Sequence, residues 1–179
     1  MSLLPEGYEV PQKKGNYYKF VEGDNRFRIL ASPILGYEYW VDNKPVRVRM
    51  GEKLPLPEAE GAKHFWAMPV WNYEESRVQI LEITQKGIQK SIAALSRDED
   101  WGTPLEYDIA VTRKGKDLST EYAVNPKPAK PTDKAVLLAF KEADVNLEAL
   151  FDGGEPFGAE KPQEEPEEEG ELTEEDIPF

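Results

Sequence analysis

Polar and apolar positions alternate with period two through most of the body of this chain, and one sustained stretch breaks into helical spacing. Arg26 to Ser32 sets Arg26, Arg28 and Leu30 against Phe27, Ile29 and Ala31, which predicts a strand with one apolar face and one face carrying two arginines. Tyr37 to Val41 and Pro45 to Met50 are short β-prone runs separated by the turn-forming Asp42-Asn43-Lys44, so a hairpin is expected, with Arg47 and Arg49 on one face. A loop rich in Pro, Glu and Gly, from Gly51 to Gly61, precedes the β-prone stretch Lys63 to Tyr73. After the polar turn Asn72 to Ser76, Val78 to Thr84 reads as a further strand.

Gln85 to Arg97 changes period: Ile88, Ile92 and Leu95 recur at helical spacing and predict the one helix inside the body. Leu105 to Arg113 and Leu118 to Val124 alternate again around Lys114-Gly115-Lys116-Asp117, a second hairpin with a basic tip. Prolines at 126, 128 and 131 make Asn125 to Pro131 a stiff spacer in which no ladder is expected. Thr132 and Asp133 are placed to cap a terminal helix from Lys134 to Phe151. This order predicts a mainly β protein, an OB-fold-like five-stranded barrel with an internal helix, a C-terminal helix and a disordered acidic tail. The expected organisation is residues 1–131 as body with an N-terminal arm, 132–151 as C-terminal helix and 152–179 as tail.

Charge sharpens that division. From Asp152 to Phe179 twelve acidic residues face the single base Lys161, so this segment carries −11 of the formal −13 in a chain of 179 residues. Residues 1–131 are neutral, and a basic stripe on a neutral body still supplies phosphate contacts, so the acidic total does not exclude a nucleic-acid ligand. Without cysteine there is neither a disulfide nor a thiolate metal site, and the lone His64 does not make a zinc site, so neither metal nor cofactor is expected. The start of the chain has no basic segment followed by an apolar run, and no stretch is long and apolar enough to span a bilayer, which predicts a cytoplasmic protein without membrane contact.

The acidic segment is Gly-, Pro- and Glu-rich, too poor in apolar residues to offset chain entropy, and it finishes Glu174-Glu175-Asp176-Ile177-Pro178-Phe179. Here the chain resembles bacterial single-stranded DNA-binding proteins, whose acidic tails end in the same Asp-Ile-Pro-Phe, and their phage counterparts. The resemblance implies that Phe179 anchors in an apolar pocket on replication, recombination or repair enzymes, that Ile177 and Pro178 shape the peptide, and that Glu174, Glu175 and Asp176 steer it. It also implies the cytoplasm of a bacterial or phage-infected cell, and a phage-like variant of the family; the oligomeric state stays open. The alternative is a plain solvating run.

Binding single strands without sequence preference needs aromatic faces for the bases and cations for the phosphates. Tyr39, Trp40, Trp66 and Trp71 are the stacking candidates, each near a basic residue or a strand end. Arg28, Arg47, Arg49, Lys63, Lys86, Arg113, Lys114 and Lys116 are the cation candidates. Alternation turns half of any strand inward, so some of these rings are expected to be core. No Walker-type loop, nucleophile elbow or histidine-rich metal spacing is present, so an enzyme is not expected; clustered acids such as Asp98, Glu99 and Asp100 suit magnesium in a nuclease, but adjacent loop carboxylates are more often just solvated. A protein-interaction adaptor without nucleic-acid binding and an RNA-binding barrel are the competing readings.

Overall fold

The computed structural model describes Leu3, residues 15–54 and residues 61–158. Seven strands form one sheet with antiparallel ladders: β1 (Gly23–Ile29), β2 (Ile34–Val41), β3 (Lys44–Arg49), β4 (Lys63–Asn72), β5 (Arg77–Ile83), β6 (Tyr107–Lys114) and β7 (Glu121–Ala129). Two α-helices, α1 (Lys86–Arg97) and α2 (Lys134–Ala143), and three 3₁₀ turns complete the described chain. Neighbouring strands run β3-β2-β4-β1-β6-β7, and β5 lies along the other edge of β4. Among the described residues no ladder joins β5 to β7, so the sheet is open there.

β4 organises the rest. One of its edges is divided between β2, which pairs Ile34–Glu38 with Ala67–Lys63, and β1, which pairs Phe27–Ile29 with Asn72–Val70. β5 occupies the opposite edge from Trp66 to Asn72. Ala67, Met68, Pro69 and Val70 are consecutively buried, because both faces of this strand are covered, and that explains the near-continuous apolar run Phe65 to Trp71. A proline inside a central strand ordinarily costs a ladder bond. Pro69 avoids it: its carbonyl accepts from the Leu30 N–H at 2.9 Å, so its nitrogen points to the same edge, at the break between β1 and β2 where no ladder partner stands.

Alternation along β4 separates two apolar clusters. On the inner face, Met68 and Val70 join Phe27, Ile29, Leu81, Ile83, Ile109 and Val111 beneath Ile88 and Ile92 of α1. On the outer face, Phe65, Ala67 and Ile80 are covered by Leu150, Phe151 and Phe157 from beyond α2. Gly36 makes that cover fit, since a Cβ there would collide with the Val48 carbonyl and press on Phe65 and Phe151 at 3.1 and 3.2 Å. The β2–β3 hairpin turns through Asp42 and Asn43, both at positive φ (51° and 65°), a twist that suits a two-residue hairpin loop.

The largest departures from the sequence-based expectation lie at three boundaries, besides shifts of two to three residues at the starts of β1, β2, β6 and β7. Asn125 to Pro131 does not end the ladder: β7 runs to Ala129 and pairs Pro126 with Ile109, across an irregularity between Tyr107 and Ile109. β7 is an edge strand, where a proline facing away from the ladder removes no bond. The terminal helix stops at Ala143, not Phe151, because Asp144 turns left-handed (φ 49°) and Leu147–Asp152 forms a 3₁₀ turn. Thr132 does not cap it; its hydroxyl instead accepts a hydrogen bond from Arg28. The folded chain also extends past Asp152, where Pro156 is buried, Asn146 N–H donates to the Pro156 carbonyl at 2.6 Å, and Val145 bridges to Phe157. The remaining tail, 159–179, and the N-terminal arm to residue 14, apart from Leu3, lie outside the described residues.

The arginine face predicted for β1 is present, but both arginines are bound to one carboxylate, with Arg28 buried and Arg26 exposed. Asp108 of β6, 1% exposed, accepts from Arg28 Nε at 2.7 Å, Arg26 Nε at 2.9 Å and the Tyr73 hydroxyl at 2.9 Å. Burial pushes this carboxyl up, but the hydrogen bonds from Arg28, Tyr73 and Arg26 outweigh it and hold Asp108 below the usual carboxylate range. A depressed pKa contributes stability above the unfolded pKa that is lost as pH falls through the folded one. Asp108→Asn strands the Arg28 guanidinium in the interior and should cost about 3 kcal/mol or more in urea unfolding at pH 7. The gap from wild type should narrow below pH 4; equal stability at pH 7 would remove the pair from the account of the fold.

Candidate nucleic-acid interface

The inner face of β4 is core at Met68 and Val70 and half-buried at His64 and Trp66. Leu35 and Tyr37 of β2 pair with Trp66 and His64, so alternation puts all four on this face. Against it stands the first turn of α1, and between them lies a cleft of about 760 Å³ lined by Tyr37, Lys63, His64, Lys86, Gln89 and Lys90 among others. The Tyr37 and His64 rings lie with centroids 5.3 Å apart, tilted by 49°. His64 is held by Nδ1 donating to the Gly36 carbonyl at 2.8 Å, since a carbonyl only accepts.

Gln89 is buried and fixes the helix to the sheet: its Nε2 donates to the Ile83 carbonyl at 2.9 Å and to the His64 carbonyl at 3.3 Å. Lys86 and Lys90, one helical turn apart, and Lys63 at the start of β4 are exposed and form no ion pair among the described residues. Three ammonium groups around two rings and amide side chains can hold a polyanion whose flat groups lie against the rings. Among the described residues no three His, Asp or Glu side chains converge as a metal site.

The predicted residues fall into distinct places. Lys63 and Lys86 line the cleft, and Tyr39 is two residues beyond Tyr37 on the same face of β2. Trp66 is next to it, half-buried on the inner cluster. Trp40, 63% exposed, is on the opposite face of the hairpin. Trp71 lies half-buried on the outer face, paired across strands with Arg28. Lys114 and Lys116 are exposed at the β6–β7 turn, and Arg113 is turned inward, donating to the Phe20 carbonyl at 3.2 Å.

Arg28 is corrected from a phosphate cation to a structural one, being 1% exposed and bound to Asp108, Thr132 and the Lys130 carbonyl. Arg47 is also engaged, 3.0 Å from Glu82 and 3.4 Å from Glu38. Arg49 is exposed, pairs with Glu148 at 2.9 Å and sits 4.5 Å above the Phe151 ring. Tyr37, His64 and Lys90 were missed as site residues. Lys90 follows Lys86 by four positions in a recognised helix, which was signal enough to find it; the Tyr37–His64 pairing depends on a register that the sequence does not display. The partner-binding candidates Glu174, Glu175, Asp176, Ile177, Pro178 and Phe179 lie outside the described residues.

Comparison with family models, with curated proteins and with solved structures finds no match to this chain. No helix among the described residues is long and apolar enough to cross a membrane.

Behind the cleft, Glu38 is buried beside Glu82 with Arg47 shared between them. Burial, then the hydrogen bond and charge of Glu82, push the Glu38 carboxyl up to about 7 against the pull of Arg47 and Lys63. A raised pKa contributes stability below the unfolded value that is lost as pH rises through the folded one. Wild type should therefore lose stability between about pH 4.5 and 7, on the order of 2 kcal/mol. Glu38→Gln should flatten that slope in denaturation measured from pH 5 to 8; an unchanged slope would show that Glu38 does not carry it.

Proposed function

We propose that this chain is a sequence-independent single-stranded DNA-binding protein without enzymatic activity, acting in replication, recombination or repair. The observation that carries this reading is the cleft in which Lys63, Lys86 and Lys90 surround the Tyr37 and His64 rings. Cations around exposed ring faces are the elements that hold a single strand irrespective of sequence. The strand connections support an OB-type barrel beneath it: β1, β4, β5, β6 and β7 neighbour one another as β5-β4-β1-β6-β7, with α1 between β5 and β6. In that reading the β2–β3 hairpin belongs to the loop after the first barrel strand, and Lys114 and Lys116 to the loop before the last. Those are the two loops OB folds use for oligonucleotides.

The acidic segment is proposed to recruit partner proteins through Glu174 to Phe179, a reading that rests on the sequence resemblance alone. The same segment is proposed to occupy the lysines when no strand is bound and to be displaced by DNA. Protein lacking 159–179 should then bind oligothymidylate more tightly at low salt, and unchanged affinity would argue against self-competition.

Lys86→Glu with Lys90→Glu should weaken oligothymidylate binding at least tenfold in tryptophan-quenching titrations, and lower the dependence of log K on log salt by about two charges. Wild-type protein that shows no preference for single strands over duplex would overturn the reading. Matched DNA and RNA strands in competition decide between the two polymers.

A further inference from the structure

A second depression lies on the other side of the Leu35–Trp66 pair. It measures about 280 Å³, with Leu35 and Trp66 on its floor, Ala93, Ser96 and Arg97 on its α1 wall and Pro104 on its rim. We infer that this groove and the lysine cleft are one continuous track along α1, and that the track holds a run of about four to five nucleotides of a single strand. The inference rests on reading the cleft as a nucleic-acid site and extends it to residues that reading does not use.

Continuity follows from register and helix geometry. Leu35 pairs with Trp66 and Tyr37 with His64 in the same ladder, so the two floors are one pleat repeat apart, about 7 Å. The α1 wall passes from Lys86 through Gln89, Lys90 and Ala93 to Ser96 and Arg97, at the three- and four-residue spacing that keeps side chains on one face. From Lys86 to Arg97 the helix rises about 16 Å. At ~3.4 Å per stacked nucleotide, that length sets the run at four to five.

The chemistry fits a strand throughout. Tyr37, His64 and Trp66 offer flat surfaces along the floor, while the three lysines at one end and Arg97 at the other provide cations for phosphates. Hydroxyls from Ser32, Ser96 and Thr103 line the groove between apolar walls, available to base edges. Asp98, Glu99 and Asp100 follow Arg97 directly and repel a polyanion, so the track stops there.

The test uses the full chain and a thymidine trimer and hexamer at low salt. Ser96→Glu puts a negative charge into the groove from an exposed helical position, with no core contact to lose. It should leave trimer affinity unchanged and weaken the hexamer about tenfold, the equivalent of one base contact. The Lys86→Glu, Lys90→Glu protein should lose affinity for both. If the Ser96→Glu protein binds the hexamer as wild type does while the lysine variant fails, the track ends at the cleft and the inference falls, with the cleft intact. If wild type binds neither oligomer, the cleft reading falls as well. A hexamer carrying 5-iodouracil at single positions gives an independent readout: photocrosslinks should reach Trp66 from one end and Tyr37 or His64 from the other. Crosslinks confined to Tyr37 and His64 would overturn the inference.

Discussion

β4 must satisfy three neighbours at once, and the architecture follows from how it does so. Both of its edges are hydrogen-bonded and both of its faces are packed over Ala67 to Val70, so the strand cannot slip by a residue without exchanging its two apolar sets. Pro69 marks where β1 gives way to β2 on one edge, which lets the chain leave the main sheet for a hairpin and return beside it. Because the hairpin pairs only with the first half of β4, the inner face continues beyond the reach of the core. The same alternation that buries Met68 therefore leaves His64 and Trp66 beside open space, and Gln89 fixes α1 as the far wall.

Arginine and lysine have divided their work. Arg28, Arg47 and Arg49 each meet a carboxylate, from Asp108, Glu82 and Glu148, while Lys63, Lys86 and Lys90 stay exposed around the cleft. The planar guanidinium is weakly hydrated and donates in several directions, so it tolerates burial when its partners are fixed; an ammonium keeps its hydration by remaining outside. Arg28 and Arg47 hold strands together, and the exposed lysines shape the field over the cleft. Glu38, left over from the Glu38–Arg47–Glu82 group, is pushed up to about 7 first by its own burial and then by the neighbouring Glu82, against the pull of Arg47.

Most of the elements were legible in the sequence, because the period of apolar residues follows directly from backbone geometry. Although the basic β6–β7 turn is longer than expected, with Asp117–Ser119 in a 3₁₀ turn before β7 starts at Glu121, the β1 alternation, the Asp42-Asn43 turn and the α1 periodicity appear where local pattern put them. The extension of β7 through its prolines and the early end of α2 did not, since an edge position and a left-handed Asp144 are set by neighbours rather than by composition.

The candidate site was legible only in part, and for the same reason. Residue type alone supplied Lys63, Lys86 and the idea of rings near cations, and it also proposed Arg28, whose charge is consumed by a carboxylate 80 positions away. Whether a cation is free, and whether a ring faces core or solvent, depends on contacts between segments distant in the chain. Local pattern therefore determined the strands, the helix and the division between neutral body and acidic tail. Tertiary structure alone decided that Tyr37 meets His64, that α1 stands opposite them, and that Arg28 and Arg47 are spent on the fold, because each is a pairing across long sequence separation that no local period encodes.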